Sequence, residues 1–97
     1  MKRADFVFTI GYEGNQAVVN KSAARKLGSL SHEELIEKGL FKEAFSAALY
    51  DEDQEGMEEV LNAYNRYAGS SYTSIEQLKR LFGVFEVPEV VKKSLYI

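Results

Sequence analysis

Between Leu40 and Ala68 one apolar pattern occurs twice, and that repetition constrains the fold more than any other stretch. Phe41, Ala44, Phe45, Ala48 and Leu49 fall at the i, i+3, i+4, i+7, i+8 spacing of a single helical face. Lys42, Glu43 and Ser46 lie between them and make the opposite face wet. Met57, Val60, Leu61, Tyr64, Tyr67 and Ala68 repeat the stripe. The corner between the stripes is acidic, Asp51-Glu52-Asp53-Gln54-Glu55-Gly56. Asp51 or Asp53 can accept from the free N–H groups that open a helix, and the remaining carboxylates sit at the favourable end of its dipole. Gly69 supplies the left-handed residue that stops the second helix. Two amphipathic helices with so short a connection pack antiparallel and need further cover on their outer edges.

Other elements take their places around this hairpin. Phe6, Phe8 and Ile10 alternate with Val7 and Thr9 at the strand period, and Ala17-Val18-Val19 is a second apolar run beyond the turn residues Gly11 to Gln16. The spacing predicts a β-hairpin over residues 1–20. Asn20 can cap a short helix from Lys21 to Leu27, ended by Gly28. Ser31 with Glu34 makes a capping box, and Leu30 with Leu35 has the hydrophobic-staple spacing. That helix runs to about Lys38, with Gly39 and Leu40 forming a Schellman-type stop. Thr73 or Ser74 caps a further helix that carries Ile75, Leu78, Leu81 and Phe82 on one face and ends at Gly83. Val84 to Val87 can form a third strand, and Pro88 suits the first turn of a last helix with Val91 and Leu95 inward.

The fold class expected is α+β: a predominantly helical single domain with an N-terminal β-hairpin packed on four or five short helices. Residues 21–69 hold the helices with the central hairpin, and residues 70–97 a C-terminal helix pair. The core draws on Phe6, Phe8, Leu35, Phe41, Phe45, Leu49, Val60, Leu61, Tyr64, Leu78, Leu81 and Phe82. The length of 97 residues suits one domain.

Composition removes several kinds of chemistry. There is no cysteine, so disulfides, thiolate zinc sites, iron–sulfur ligation and cysteine nucleophiles are all excluded. The apolar run Phe6 to Ile10 is too short for a signal-peptide core, and no stretch reaches the roughly 20 apolar residues of a membrane span. A cytoplasmic protein with no membrane partner is expected. The net charge of −3 is unevenly spread: residues 1–31 carry +3, residues 32–62 carry −8 and residues 63–97 carry +2. An acidic middle between mildly basic ends does not suit a general nucleic-acid coat, although it permits a local basic patch.

Each chemical motif has a plainer alternative beside it. Asp51-x-Asp53-x-Glu55-Gly56 resembles the first half of an EF-hand loop, but Glu58 stands at the apolar eighth position and Asn62 at the bidentate twelfth. Capping of a helix start accounts for these carboxylates. Gly11-Tyr12-Glu13-Gly14 has too few glycines and no lysine for a phosphate loop, which leaves Tyr12 as an amphipathic side chain at a hairpin tip. His32 is the only histidine and is expected at the surface, in the first turn of its helix. Tyr64 and Tyr67 lie on the apolar stripe, so packing is favoured over base stacking for them.

Residues 74–95 have the cadence of a divergent helix-turn-helix, offering Arg80, Lys92 and Lys93 to phosphates. Lys79 at the usually small position, the lengthened turn and Glu89 all depart from that pattern.

No catalytic, metal or cofactor signature is present, and no enzyme is expected. The leading expectation is a small non-enzymatic protein-interaction domain that binds a protein partner or itself through Glu52, Glu55, Glu59 and Tyr12. The alternative is a nucleic-acid-binding regulator using Arg80, Lys92 and Lys93.

Overall fold

The computed structural model describes residues 1–97. It contains six helices and a three-stranded sheet, in the order α1 (Arg3–Val7), β1 (Thr9–Glu13), β2 (Gln16–Val19), α2 (Lys21–Leu27), α3 (His32–Glu37), α4 (Phe41–Tyr50), α5 (Gln54–Ala68), α6 (Ile75–Phe82) and β3 (Lys93–Tyr96). Within this α+β domain the chain gathers into two compact units. One is Met1–Leu30 with Val87–Ile97, and the other is Ser31–Glu86.

The helical unit, Ser31–Glu86, follows its local signals closely. Ser31 accepts from the Glu34 N–H, and the Glu34 carboxylate accepts from the Ser31 N–H, so the capping box is complete. Leu40 N–H donates to the Leu35 carbonyl at 3.0 Å, the long bond of the Schellman stop. Asp53 caps α5 through the Gly56 N–H at 2.9 Å. Gly69 ends α5 with φ +66°, where an L side chain is strained. Ser74 and Gln77 form a second capping box at the start of α6.

The two apolar stripes close on each other over most of their length, but Tyr67 and Ala68 at the end of the second are exposed, and Ser46, expected on the wet face of α4, is buried. Phe45, Leu35, Leu78 and Val60 are fully buried. Small residues fill the seam beside them: Ala44, Ala47 and Ala48 are wholly inaccessible. An aromatic cluster joins three helices. Phe41 meets Tyr64 edge-on at 5.5 Å, Tyr64 meets Phe82 edge-on at 5.5 Å, and Phe82 lies 5.8 Å from Phe45. Leu81, expected in the core, is 41% exposed.

The basic sheet unit departs from its local signals at both ends. Residues 3–7 form a helix, not the first half of a strand. A strand would turn Val7 away from Phe6 and Phe8, yet all three are buried, together with Asp5. The hairpin itself is shorter, β1 pairing antiparallel with β2 from Thr9↔Val19 to Glu13↔Gln16. A register irregularity between Thr9 and Gly11 leaves Ile10 out of the ladder and 58% exposed. The α2 helix starts at the predicted Asn20 cap.

The expected C-terminal helix is absent, and Val84 to Val87 is not a strand. Lys93–Tyr96 pairs in parallel with β2 instead, making the sheet order β1-β2-β3 with β2 in the centre. A lone hairpin leaves β2 with an open edge, and the last residues close it. Ala17 and Val19 of β2 are wholly buried as a result.

Besides its ladder to β2, β3 is fastened to α1 through Asp5. The Ser94 and Tyr96 hydroxyls both donate to Asp5 Oδ2, at 3.0 and 2.8 Å. These side chains occupy the sheet face that also carries Ala17 and Val19, because alternate residues share a face. Val91 is buried while Leu95 is 41% exposed, so the shared inner face that a helix would have given them is not formed. Arg3 ties α1 to the end of α2, donating to the carbonyls of Leu30 at 2.9 Å and Gly28 at 3.3 Å. A Cβ on Gly28 would stand 2.5 Å from the Ala4 side chain, so the approach of α1 to α2 needs glycine there.

Charge separates with the two units. The sheet unit holds Lys2, Arg3, Lys21, Arg25, Lys26, Lys92 and Lys93 against Asp5, Glu13 and Glu89, a formal +4. The helical unit holds twelve acidic side chains against five basic ones, a formal −7.

Candidate functional site

The most chemically loaded place in the helical unit lies where α5 crosses the start of α3. The Ser31 cap fixes the first turn of α3 and so places His32 and Glu33. His32 is buried, 8% exposed, and not the surface residue that its position in a first helical turn suggests. Its Nε2 lies 3.1 Å from Glu59 Oε2 and 4.0 Å from Glu33 Oε1. Its Nδ1 lies 3.8 Å from Asp53 Oδ2. A carboxylate can only accept, so Nε2 carries the proton and donates to Glu59.

Gly56 makes room for this ring. A Cβ there would stand 3.1 Å from His32 Cε1 and 2.6 Å from Asp53 Oδ2. Glycine inside a helix costs about 1 kcal/mol relative to alanine. In the first turn of α5 the missing side chain is what lets the imidazole and the capping carboxylate lie together. Asp53 is therefore committed to the helix start, which is how the Asp51–Gly56 corner departs from a calcium loop.

Beside the histidine runs a groove of about 350 Å³, lined by Glu33, Ile36, Glu37, Glu59, Asn62, Ala63 and Arg66. Glu59, Asn62, Ala63 and Arg66 follow the i, i+3, i+4, i+7 spacing along α5, so one helix supplies a continuous wall. The carboxylates of Glu33, Glu37 and Glu59 belong to exposed residues, whereas Ile36 is half-buried and Ala63 buried. The groove thus has an apolar floor and an acidic rim, with Arg66 as its one cation.

Of the interaction residues predicted from sequence, Glu59 lines this groove. Glu55 stands one helical turn before it on α5, exposed. Glu52 sits in the preceding turn with φ +54°, also exposed. Tyr12 is on β1 in the sheet unit, 48% exposed. Partial burial raises its phenol pKa above the ordinary value, while a hydrogen bond with Thr9 acts in the opposite sense.

The predicted phosphate-contacting residues fall on different units. Arg80 lies on α6 of the acidic unit, and Lys92 and Lys93 lie in and before β3 of the basic unit. The reading helix that was to present Lys92 and Lys93 is absent, so the helix-turn-helix at residues 74–95 is not formed. Cations gather instead around α2. A cleft of about 630 Å³ is lined by Lys21, Ser22, Arg25, Lys26 and Ile97, and a second of about 270 Å³ includes Lys2, Lys21, Arg25 and Tyr96 together with Asp5. Tyr64 is half-buried among Phe41, Tyr72 and Phe82, which makes it a packing residue. Tyr67 is 76% exposed and rests on Phe41 at 5.0 Å.

Sequence reasoning misses His32, Glu33, Ile36 and Glu37 as site residues. The capping box places them on one short helix, but Glu59 is 27 positions from His32 and no local pattern joins them. No helix is long and apolar enough to cross a membrane. Comparison of the chain with protein-family models, with curated proteins and with solved structures yields no match.

Proposed function

We propose that this protein is a small non-enzymatic binding module that takes a basic segment of a protein partner on its helical unit. The observation that carries this is the groove between α3 and α5, where Glu33, Glu37 and Glu59 stand over a floor of Ile36 and Ala63. A lysine or arginine side chain is amphipathic: its methylene stem suits the floor and its charged head suits the rim. The surrounding unit carries a formal −7, which speeds encounter with a positive partner and rejects a negative one. Glu55, one turn from Glu59, and Glu52 extend the acidic surface beyond the groove. The cytoplasm is the setting we assign, because the chain carries no cysteine for an oxidising compartment to pair.

The test is a titration of the ¹⁵N-labelled protein with lysine-rich and arginine-rich peptides. Shifts that centre on residues 33–37 and 59–66 and shrink with added salt are expected. Replacing Glu37 and Glu59 together by Gln should weaken binding about tenfold or more, as expected when two rim charges of a groove are lost. Equal shifts in the double variant, or none in the native protein, rule this role out.

A second role is supported by the cleft around α2, where Lys21, Arg25 and Lys26 present cations in one concave place. Nucleic acid is its natural ligand class, through phosphate contacts that weaken steeply with salt. Lys21→Ala with Arg25→Ala abolishes such binding if the cleft carries it, whereas loss only on replacing Lys92 and Lys93 points to the start of β3.

A further inference from the structure

We propose that His32, Glu33 and Glu59 form a binding site for one divalent first-row transition-metal ion, zinc being the ion of choice. One nitrogen and two carboxylate oxygens lie within 4.8 Å of one another. Nε2 is already 3.1 Å from Glu59 Oε2, which is about the separation of neighbouring donors around a zinc ion with bonds of roughly 2.0–2.2 Å. Glu33 Oε1, at 4.0 Å, closes the set with a rotation of an exposed side chain.

The histidine is what separates this cluster from the rest of the acidic surface. Imidazole with carboxylates favours zinc, nickel or cobalt, whereas carboxylates alone favour calcium or magnesium. The ring is held before any ion arrives: the Ser31 cap fixes its backbone, and Gly56 leaves the space its edge occupies. An incoming ion replaces the Nε2 proton that now points at Glu59. Nδ1 then carries the ring's proton, and closing its 3.8 Å separation from Asp53 Oδ2 by a small side-chain shift gives it the carboxylate acceptor that orients ligating histidines. Asp53 is itself held by its bond to the Gly56 N–H. Three protein donors leave the remaining coordination positions to water on the open side, where Glu33 and Glu59 are exposed.

Glu33 and Glu59 also line the groove assigned to peptide binding, so the experiment uses metal alone with the full chain and its outcome does not depend on that role. Zinc chloride is titrated calorimetrically into metal-free protein, and cobalt chloride is followed by its visible absorption. One ion per chain is expected, with a cobalt spectrum that includes a nitrogen donor. Glu33→Gln and Glu59→Gln should each lower affinity about tenfold or more. Glu33 is exposed and its carboxylate has no part in the caps, so that variant tests the site without threatening the fold. A control with Glu52 and Glu55 both changed to Gln should bind as the native protein does. The proposal is overturned if no saturable site appears, or if Glu33→Gln and Glu59→Gln keep native affinity. It is also overturned if the control loses as much as they do, which would mean diffuse binding by the acidic surface.

Discussion

The helical and sheet units of this protein differ in how far apart in sequence their stabilising partners lie. In Ser31–Glu86 most polar fastenings are local: Ser31 with Glu34, Asp53 with Gly56, Asn65 with Ser70 and Tyr72, Ser74 with Gln77. In the sheet unit they are remote. Asp5 is joined to Ser94 and Tyr96 across 89 and 91 positions, and Arg3 to Leu30 across 27. One unit can nucleate wherever a helix starts, and the other cannot form its third strand until both ends of the chain have met. The charge contrast lies along the same division, acidic in the helices and basic around the sheet.

The strongest way to break the comparison is at Phe45, which is fully buried in the helical unit. Phe45→Ala should destabilise the protein by about 3–5 kcal/mol, seen as a lower urea midpoint with the slope unchanged. A loss under about 1 kcal/mol would mean that local capping, not the shared apolar seam, dominates this unit.

Asp5 is the corresponding point in the sheet unit. Asp5→Ala leaves two hydroxyls without their acceptor and should cost about 1–3 kcal/mol, with hydrogen exchange accelerating first at the amides of residues 93–96. Asp5→Asn keeps an acceptor oxygen and should lose less. Equal exchange in all three proteins would show that the β2–β3 ladder holds without the carboxylate.

Smaller effects sharpen the contrast. Ser31→Ala and Ser74→Ala should each cost about 1 kcal/mol by thermal denaturation, and neither should disturb β3.

The smallest expected effect is pH-dependent. Donation of the Tyr96 hydroxyl to Asp5 raises its pKa above the ordinary 10.0, with burial and the Asp5 charge acting in the same sense. Its contribution is therefore fully present below pH 10.0 and fades as pH rises through the higher folded value. Stability measured above pH 10.0 should fall less in Tyr96→Phe than in the native protein.

The helix boundaries were legible because their determinants are short-range. A capping box needs a serine with a glutamate or glutamine three residues on, a simple cap needs one Asp or Asn, and the stops after α3, α5 and α6 each use a glycine. The apolar stripes are legible for the same reason, except that Leu81 and Tyr67 have the right period but stand exposed near the ends of their helices, and Ser46, polar by type, is buried. The start of the chain misleads because Phe6, Phe8 and Ile10 alternate with Val7 and Thr9 at the strand period, whereas Phe6, Val7 and Phe8 are all buried, which a helical turn achieves and one strand face does not. The tail misleads because Pro88, Val91 and Leu95 fit a helix locally, while β2 offers an open edge that no local pattern reveals.

The site divides in the same way. Sequence alone set the acidity of the central helices, the absence of cysteine chemistry and the exposure of Glu52 and Glu55. It could place His32 at a helix start but not bury it. Burial came from α5 crossing α3 with Gly56 opposite the ring, a contact between residues 24 positions apart. Helix ends are decided by hydrogen bonds within a few residues, so the sequence determines them directly. The third strand, the groove and the histidine cluster depend on which surfaces remain uncovered once the helices have packed, and only the tertiary structure decides that.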